Sequence, residues 1–543
     1  MNGINGIKGG KTVMELQNQK NIWVAKSSEP IYLYLKMANR HGLIAGATGT
    51  GKTVTSKVLA EAFSARGIPV FMADIKGDVS GLGLQGELND NIKNRVESLG
   101  ITGFEPKAYP VRFFDVFGDK GIPTRATISE MGPDLLARLL NLNEVQTGVF
   151  SIIFRVADDK GLLLLDLKDL RAMVHWVGEN ASEFTSKYGN VSVQSIGAIQ
   201  RALLVLEDQG GNRFFGEPSL DIMDWMVKDG DGRGYINILH GVSLFQSPLL
   251  YSTFMLWMLS EVYERLPEEG DMDQPKMVFF FDEAHLLFSE APKALLQKME
   301  QVIRLIRSKG VGIYFMTQVP TDIPEAVLAQ VGNKIQHALR AFTPYEQRAI
   351  KGVANSFREN PLFSTEQALQ ELATGEALVS FLGEDGVPKM VEKAMILPPE
   401  SSIDAMDDPT RVYLLQNDPL RKKYDEILDR DSAYEKLADV VIPLAVPAVP
   451  AVEAVPAVES TLEEGAKALT PEEINAQIEA RAKELAQEMK DSEKPPKAKK
   501  SEKAPKTYSS KTTVERTVDS AMTTIGREIS RQLVRGLLGS LKR

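Results

Sequence analysis

The run Gly46-Ala47-Thr48-Gly49-Thr50-Gly51-Lys52-Thr53 constrains this chain more than any other stretch. Its glycines permit backbone turns that aim successive N–H groups to one side, forming an anion-binding cradle. Ahead of it, Gly42-Leu43-Ile44-Ala45 is short and apolar, as a buried parallel strand is. Behind it, Val54 to Ser64 carries Val54, Val58, Leu59 and Ala62 on one helical side. Strand, glycine-rich loop and helix in that order make a phosphate-binding loop, with the helix N-terminus adding partial positive charge. Gly46, Ala47, Thr48, Gly49, Thr50, Gly51, Lys52, Thr53 and Val54 are thus the candidate ATP contacts. Lys52 reaches the β- and γ-phosphates, and the Thr53 hydroxyl is a Mg²⁺ ligand.

Hydrolysis needs more than a cradle. Met277-Val278-Phe279-Phe280-Phe281 reads as a strand buried on both faces, and Asp282 and Glu283 stand at its carboxyl end. In open α/β sheets ligands bind at that end. There Asp282 holds Mg²⁺ through water and Glu283 acts as general base on the attacking water. Taken alone, the pair would equally suit an acidic helix start, where carboxylates are favoured anyway. Gly312 to Gln318 is a further apolar run, and Gln318 is a candidate contact for the γ-phosphate or the lytic water. Arg304 and Arg307 end the helix that begins near Pro292, one loop before that strand. Arg340 closes Lys334 to Phe342, which alternates like a strand. Arg307 and Arg340 are each a candidate for phosphate sensing, although an arginine there also serves as a dipole or carboxylate partner.

These motifs together resemble the HerA/FtsK superfamily of ring-forming P-loop translocases. Arg40-His41-Gly42 looks like its opening strand, Asp74-Ile75-Lys76-Gly77-Asp78 its acidic turn, and Phe281 to His285 its Walker B sequence. The stretch from Arg307 to Thr317-Gln318-Val319-Pro320 is similar to its sensor region. The YjgR-type family of HerA-like ATPases is the nearest likeness, over about Asn21 to Pro399. The resemblance implies a homo-oligomeric ring, hexameric in that superfamily, with Arg307 or Arg340 acting in trans and DNA as the track. HerA-type translocases also carry a β-barrel domain before the P-loop, whereas 45 residues precede Gly46 here. Val319 stands where relatives often have Arg, so no role is carried over to it.

The fold class expected is α/β: a P-loop NTPase (RecA/ASCE-like) with a mostly parallel sheet, a large helical insertion and a flexible C-terminal tail. At 543 residues and 43% apolar content the chain can bury a large core. It has no cysteine, and its five histidines are dispersed, which excludes disulfides, thiolate chemistry and a zinc cluster. No run of about 18 apolar residues occurs, nor an N-terminal signal segment, so a cytoplasmic protein with no membrane span is expected.

Residues 1–20 read as a disordered arm and 21–399 as the ATPase core. Within the core, the long stretch from Asp78 to the next clear core strand, Tyr235 to Leu239, reads as helices. These are Gly132 to Leu142, Glu144 to Ala157, Asp166 to Asn180, Val193 to Asp208, with Ile196, Ile199, Leu203 and Leu206 on one face, and Ser219 to Val227, making an insertion at about 125–230. Residues 400–440 read as a helical extension. The stretch 441–510 is a linker, first Ala-Val-Pro repeats and then lysine-rich from Lys494. The final stretch, 511–543, reads as an amphipathic helix with Ile525, Ile529, Leu533 and Leu537 on one face, suited to a protein partner or to the ring itself. A net charge of −10 argues against a generally basic nucleic-acid-coating protein. Two function classes follow: a DNA translocase or helicase-like motor, and a regulatory ATPase that remodels a protein partner.

Overall fold

The computed structural model describes residues 20–288, 293–340 and 343–438. The terminal arm before residue 20, the Ala-Val-Pro and lysine-rich linker and the final amphipathic segment lie outside these residues.

Twelve strands form one sheet in the order β2-β1-β12-β11-β10-β3-β9-β8-β4-β7-β5-β6. They run as β1 Asn21–Lys26, β2 Pro30–Tyr34, β3 Gly42–Ala45, β4 Val70–Asp74, β5 Val111–Asp115, β6 Ile122–Pro123, β7 Ile236–His240, β8 Met277–Phe281, β9 Val311–Thr317, β10 Asn333–Gln336, β11 Glu376–Ser380 and β12 Glu392–Ile396. From β10 to β6 every pairing is parallel. From β2 to β10 every pairing is antiparallel. The mostly parallel α/β P-loop sheet is therefore present, with an antiparallel wing on one side.

Why the central strands are wholly apolar follows from their two covered faces. Alternate residues enter two different cores. Leu43, Phe71, Phe279, Phe281, Ile313 and Phe315 join one cluster. Ile44, Met72, Val278, Phe280, Tyr314 and Met316 join the other. The first core is roofed by the helices Ile128–Leu139, Glu144–Lys160, Leu167–Glu179, Val193–Asp208 and Pro248–Arg265. The second takes Val58, Leu59 and Phe63 from the helix Lys52–Ser64 that follows the P-loop. Side chains of this size contribute roughly 1.5–3 kcal/mol each when buried. The phosphate loop is thus the crest of a strand and a helix fixed in a common core.

Four sequence expectations are corrected. The stretch after Asp78 holds a core strand, β5, besides helices. Its Arg112 is neutralised by Asp418, 3.2 Å away, and lies 4.0 Å over the Tyr235 ring. The run Lys334 to Phe342 is not one strand, because β10 ends at Gln336 and His337 turns beneath the P-loop. The expected helix from Ser219 to Val227 is only a short turn, Ile222–Trp225. The helix expected from Gly132 starts earlier, at Ile128, with a kink where Gly132 takes φ 73° before Pro133. Residues 408–438 hold three short helices, Asp408–Asn417, Arg421–Tyr424 and Ala433–Ala438.

Candidate nucleotide site

Because β10, β3, β9, β8 and β4 are neighbours, their carboxyl ends place five loops side by side. Gly46, Gly49 and Gly51 adopt φ of 153°, 75° and 117°, backbone that glycine tolerates best. A methyl group on Gly46 would meet the His337 Cβ at 2.5 Å. The loop is pinned from below: Ala47 N–H donates to the Ala338 carbonyl at 2.9 Å, and Gly46 N–H to that of Thr317 at 3.2 Å. Behind the loop, Gly375 N–H donates to the Thr50 carbonyl at 3.0 Å. Arg95 in turn holds the Thr374 and Gly375 carbonyls at 3.3 and 3.2 Å.

His337 is fully buried. Its Nδ1–H donates to the Glu376 carbonyl at 2.9 Å, so Nε2 accepts from the Thr55 hydroxyl at 2.8 Å. Burial drives its pKa down to about 4, which keeps the ring neutral and the tautomer fixed. No motif spacing announces this residue. Its role is visible only once β10 lies against β3.

Lys52 is buried and folds over the loop, donating to the Gly46 and Ala47 carbonyls at 2.7 and 3.1 Å. Burial lowers its pKa, and the neighbouring Lys76 lowers it further. Those loop carbonyls are the partners it would exchange for phosphate oxygens. The Thr53 hydroxyl donates to Asp78 Oδ2 at 3.1 Å, while Asp78 Oδ1 is buried without a hydrogen-bond partner. Asp74, at the end of β4, accepts from Gly77 N–H at 2.7 Å and from Val79 N–H at 3.4 Å, shaping that turn. Its burial, with Asp78 nearby, pushes its pKa up to about 7.

Asp282 and Glu283 stand at the carboxyl end of β8, both buried. Glu283 takes φ 44° and ψ 50°, a left-handed conformation that costs a non-glycine residue about 1–3 kcal/mol. It re-aims the side chain toward β4 and β9. Glu283 Oε1 accepts from Lys76 Nζ at 2.6 Å and lies 3.5 Å from Gln318 Nε2. Lys76 also sits 3.6 Å from Asp282 Oδ2. Burial raises the pKa of both carboxylates, yet Glu283 ends below its ordinary value because Lys76 is hydrogen-bonded to it. For Asp282 burial prevails and the net shift is upward.

The donor set fits Mg²⁺. Thr53, Asp78 and Asp282 supply hard oxygens, and one of them is the buried unpartnered Asp78 Oδ1. Among the described residues no group of three or more His, Asp or Glu forms a self-contained metal site. Mg²⁺ in such sites takes most of its ligands from phosphates and water.

The two arginines lie apart from this cluster. Arg307 begins a short turn after the helix Lys293–Ile306 and precedes β9, whereas Gln318 follows β9. Seven strand residues at about 3.3 Å each put it on the order of 20 Å from its own γ-phosphate region. It is half-buried beside Arg40, which forms an ion pair with Asp271 at 3.7 Å. Sequence reasoning singled out Arg40 only as motif, and its place beside Arg307 needed the fold. Arg340 lies past the end of β10 and donates to the Gln370 carbonyl, at the end of the helix Thr365–Glu371. Neither arginine meets Lys52 or Glu283. His41, in the same opening motif as Arg40, accepts Ile313 N–H on Nδ1 at 3.1 Å and donates from Nε2 to Ile303 at 2.9 Å, which is a structural role.

A cavity of about 420 Å³ lies elsewhere, between the insertion and the segment 427–432. Its charged lining is largely self-paired, as in Lys168 with Asp429 at 2.8 Å, so the chemistry remains with the P-loop.

A family model described as "Helicase HerA-like C-terminal" matches residues 19–543. Among curated proteins, the chain is 22% identical over 365 residues to "DNA double-strand break repair helicase HerA" of Sulfurisphaera tokodaii, covering 65% of this chain and 64% of that one. The protein of the same name from Sulfolobus acidocaldarius is 23% identical over 363 residues, with the same coverage. The match therefore spans less than two thirds of either relative. Among solved structures, the plasmid coupling protein TrwB bound to a non-hydrolysable ATP analogue aligns with TM-score 0.49 and 15% identity, over 73% of this chain and 95% of that one. VirB4 of Thermoanaerobacter pseudethanolicus aligns with TM-score 0.44 and 14% identity, over 75% and 100%.

Proposed function

The chain belongs to the helicase HerA-like C-terminal family, and from that premise we propose that it is an ATP-hydrolysing motor that works as a homo-oligomeric ring on DNA. The observation that carries the reading is the convergence of Lys52, Thr53, Asp282, Glu283 and Gln318 at the carboxyl edge of one sheet, with Arg307 stranded at the other.

In this reading the P-loop amides and Lys52 hold the β- and γ-phosphates of ATP. Thr53 and Asp282, with Asp78, would hold Mg²⁺, which when bound would supply positive charge against the phosphate oxygens. Glu283 accepts a proton from water as the water oxygen bonds to the γ-phosphorus and the bond to the ADP oxygen breaks. Gln318, within reach of the same carboxylate, orients that water. Arg307 of one subunit completes the site of the next, because among the described residues no arginine of the same subunit stands in it. Rings of this kind use heterologous contacts, in which one face of a subunit meets the opposite face of its neighbour.

DNA-stimulated ATP turnover by the purified protein, with particle mass measured in parallel, tests this reading. A ring whose turnover rises severalfold with DNA supports the motor. The net charge of −10 favours a protein partner instead, and turnover indifferent to DNA at low salt would promote that second reading.

A further inference from the structure

We propose that Lys76 is a phosphate-responsive latch on the base Glu283: it holds that carboxylate until ATP arrives, then moves its ammonium to the γ-phosphate and releases the base. This rests on the ATPase reading above and deepens it.

The geometry places one ammonium between two carboxylates and beside a second ammonium. Lys76 Nζ is 2.6 Å from Glu283 Oε1 and 3.6 Å from Asp282 Oδ2. It also lies close enough to Lys52 to disfavour the charge on that ammonium. Lys52 is the residue that meets the γ-phosphate, so Lys76 stands at the margin of the same phosphate pocket. The two ends of the pair differ in freedom. The Lys76 side chain is 41% exposed, whereas that of Glu283 is 7% exposed and held at φ 44°. If the pair separates, the lysine is the member that swings.

Chemistry supplies the direction. A carboxylate oxygen occupied by an ammonium is a weak proton acceptor, and Glu283 Oε2 faces the His285 ring, 3.3 Å from its Nδ1. In this posture the base has one oxygen committed to the lysine and the other set against the His285 imidazole. An ATP γ-phosphate brings about two negative charges beside Lys52, more than a single carboxylate offers. An ammonium on a flexible stem follows the greater charge. ADP brings no such group, so after phosphate release the pair with Glu283 re-forms. Lys76 acts through Glu283 and on the γ-phosphate; it takes no proton and breaks no bond.

Binding of a non-hydrolysable ATP analogue and of ADP, measured by calorimetry with Mg²⁺ on the full-length protein, tests the latch. Lys76→Met is expected to weaken the analogue about tenfold, the effect of losing one charge-assisted hydrogen bond. ADP affinity is expected to stay within about twofold. Lys76→Arg restores most of the preference. Glu283→Gln, which frees the lysine in advance, tightens the analogue severalfold, and that gain vanishes in the Lys76→Met, Glu283→Gln double variant. Equal loss of both nucleotides, or a Glu283→Gln gain that survives without Lys76, overturns the latch while leaving the nucleotide site standing. Failure of the unmodified protein to bind either nucleotide overturns the ATPase reading itself.

Discussion

The two edges of the central sheet differ in kind. At the carboxyl edge, polar and charged groups delivered by β3, β4, β8 and β9 crowd within hydrogen-bond reach, and each is held by a named partner. Lys52 sits on the loop carbonyls, Thr53 on Asp78, and Glu283 on Lys76. At the amino edge the same strands present Arg40 and Arg307, which repel each other and, among the described residues, share Asp271. One edge resembles a finished site. The other carries positive charge with little in its own subunit to use it. Under the proposed function, hydrolysis is divided between the two edges, and stacking subunits head to tail would join them.

That division can be broken by removing one group at a time. The largest effect is expected for Arg307→Ala, which should lower turnover by about 10³–10⁵ while leaving ADP binding intact. A loss below tenfold would return Arg307 to a structural role. Glu283→Gln comes next: steady-state assays should show turnover down by roughly 10²–10⁴ with nucleotide still bound. Arg340→Ala sharpens the choice between the two arginines. Because its side chain is already engaged with the Gln370 carbonyl, turnover should fall by less than about tenfold. A collapse comparable to that of Arg307→Ala would move the trans-acting role to Arg340.

The smallest effect concerns stability. Glu61, on the helix behind the P-loop, is fully buried and accepts hydrogen bonds from the backbone and hydroxyl of Ser401 and from Glu400 N–H. Burial, with Glu400 beside it, raises its pKa from 4.5 to about 7. The folded state thus binds a proton more tightly than the unfolded chain, so this group's contribution is complete below about pH 4.5 and is lost as pH rises through 7. The difference is worth about 3 kcal/mol at most. Denaturant midpoints should show Glu61→Gln losing that pH dependence between pH 5 and 8, and an unchanged slope would refute the buried-acid account.

Much of the carboxyl edge was legible in the sequence because each part is local. A P-loop must have its glycines and lysine in one octet, and β8 and β9 are continuous apolar runs that end in the residues they deliver. What was hidden depends on contacts between distant segments. β5 contains Arg112, a poor omen for a buried strand until Asp418 and Tyr235 are brought to it. Lys334 to Phe342 alternates convincingly, yet it leaves the sheet at His337 because that ring must reach Thr55 and Glu376. Lys76 and Asp78 were visible as a motif, but their partners Glu283 and Thr53 lie far off in the chain. Arg40 likewise acquires meaning only beside Arg307.

The claim that the site is completed across subunits is tested most directly by co-expressing Arg307→Ala with Glu283→Gln. Each variant alone should be nearly inactive. In a randomly mixed ring, about a quarter of the interfaces pair an intact Glu283 with an intact Arg307 from the neighbour. The account predicts recovery toward that fraction of the unmodified rate. A mixed assembly no more active than the two variants measured separately would contradict it.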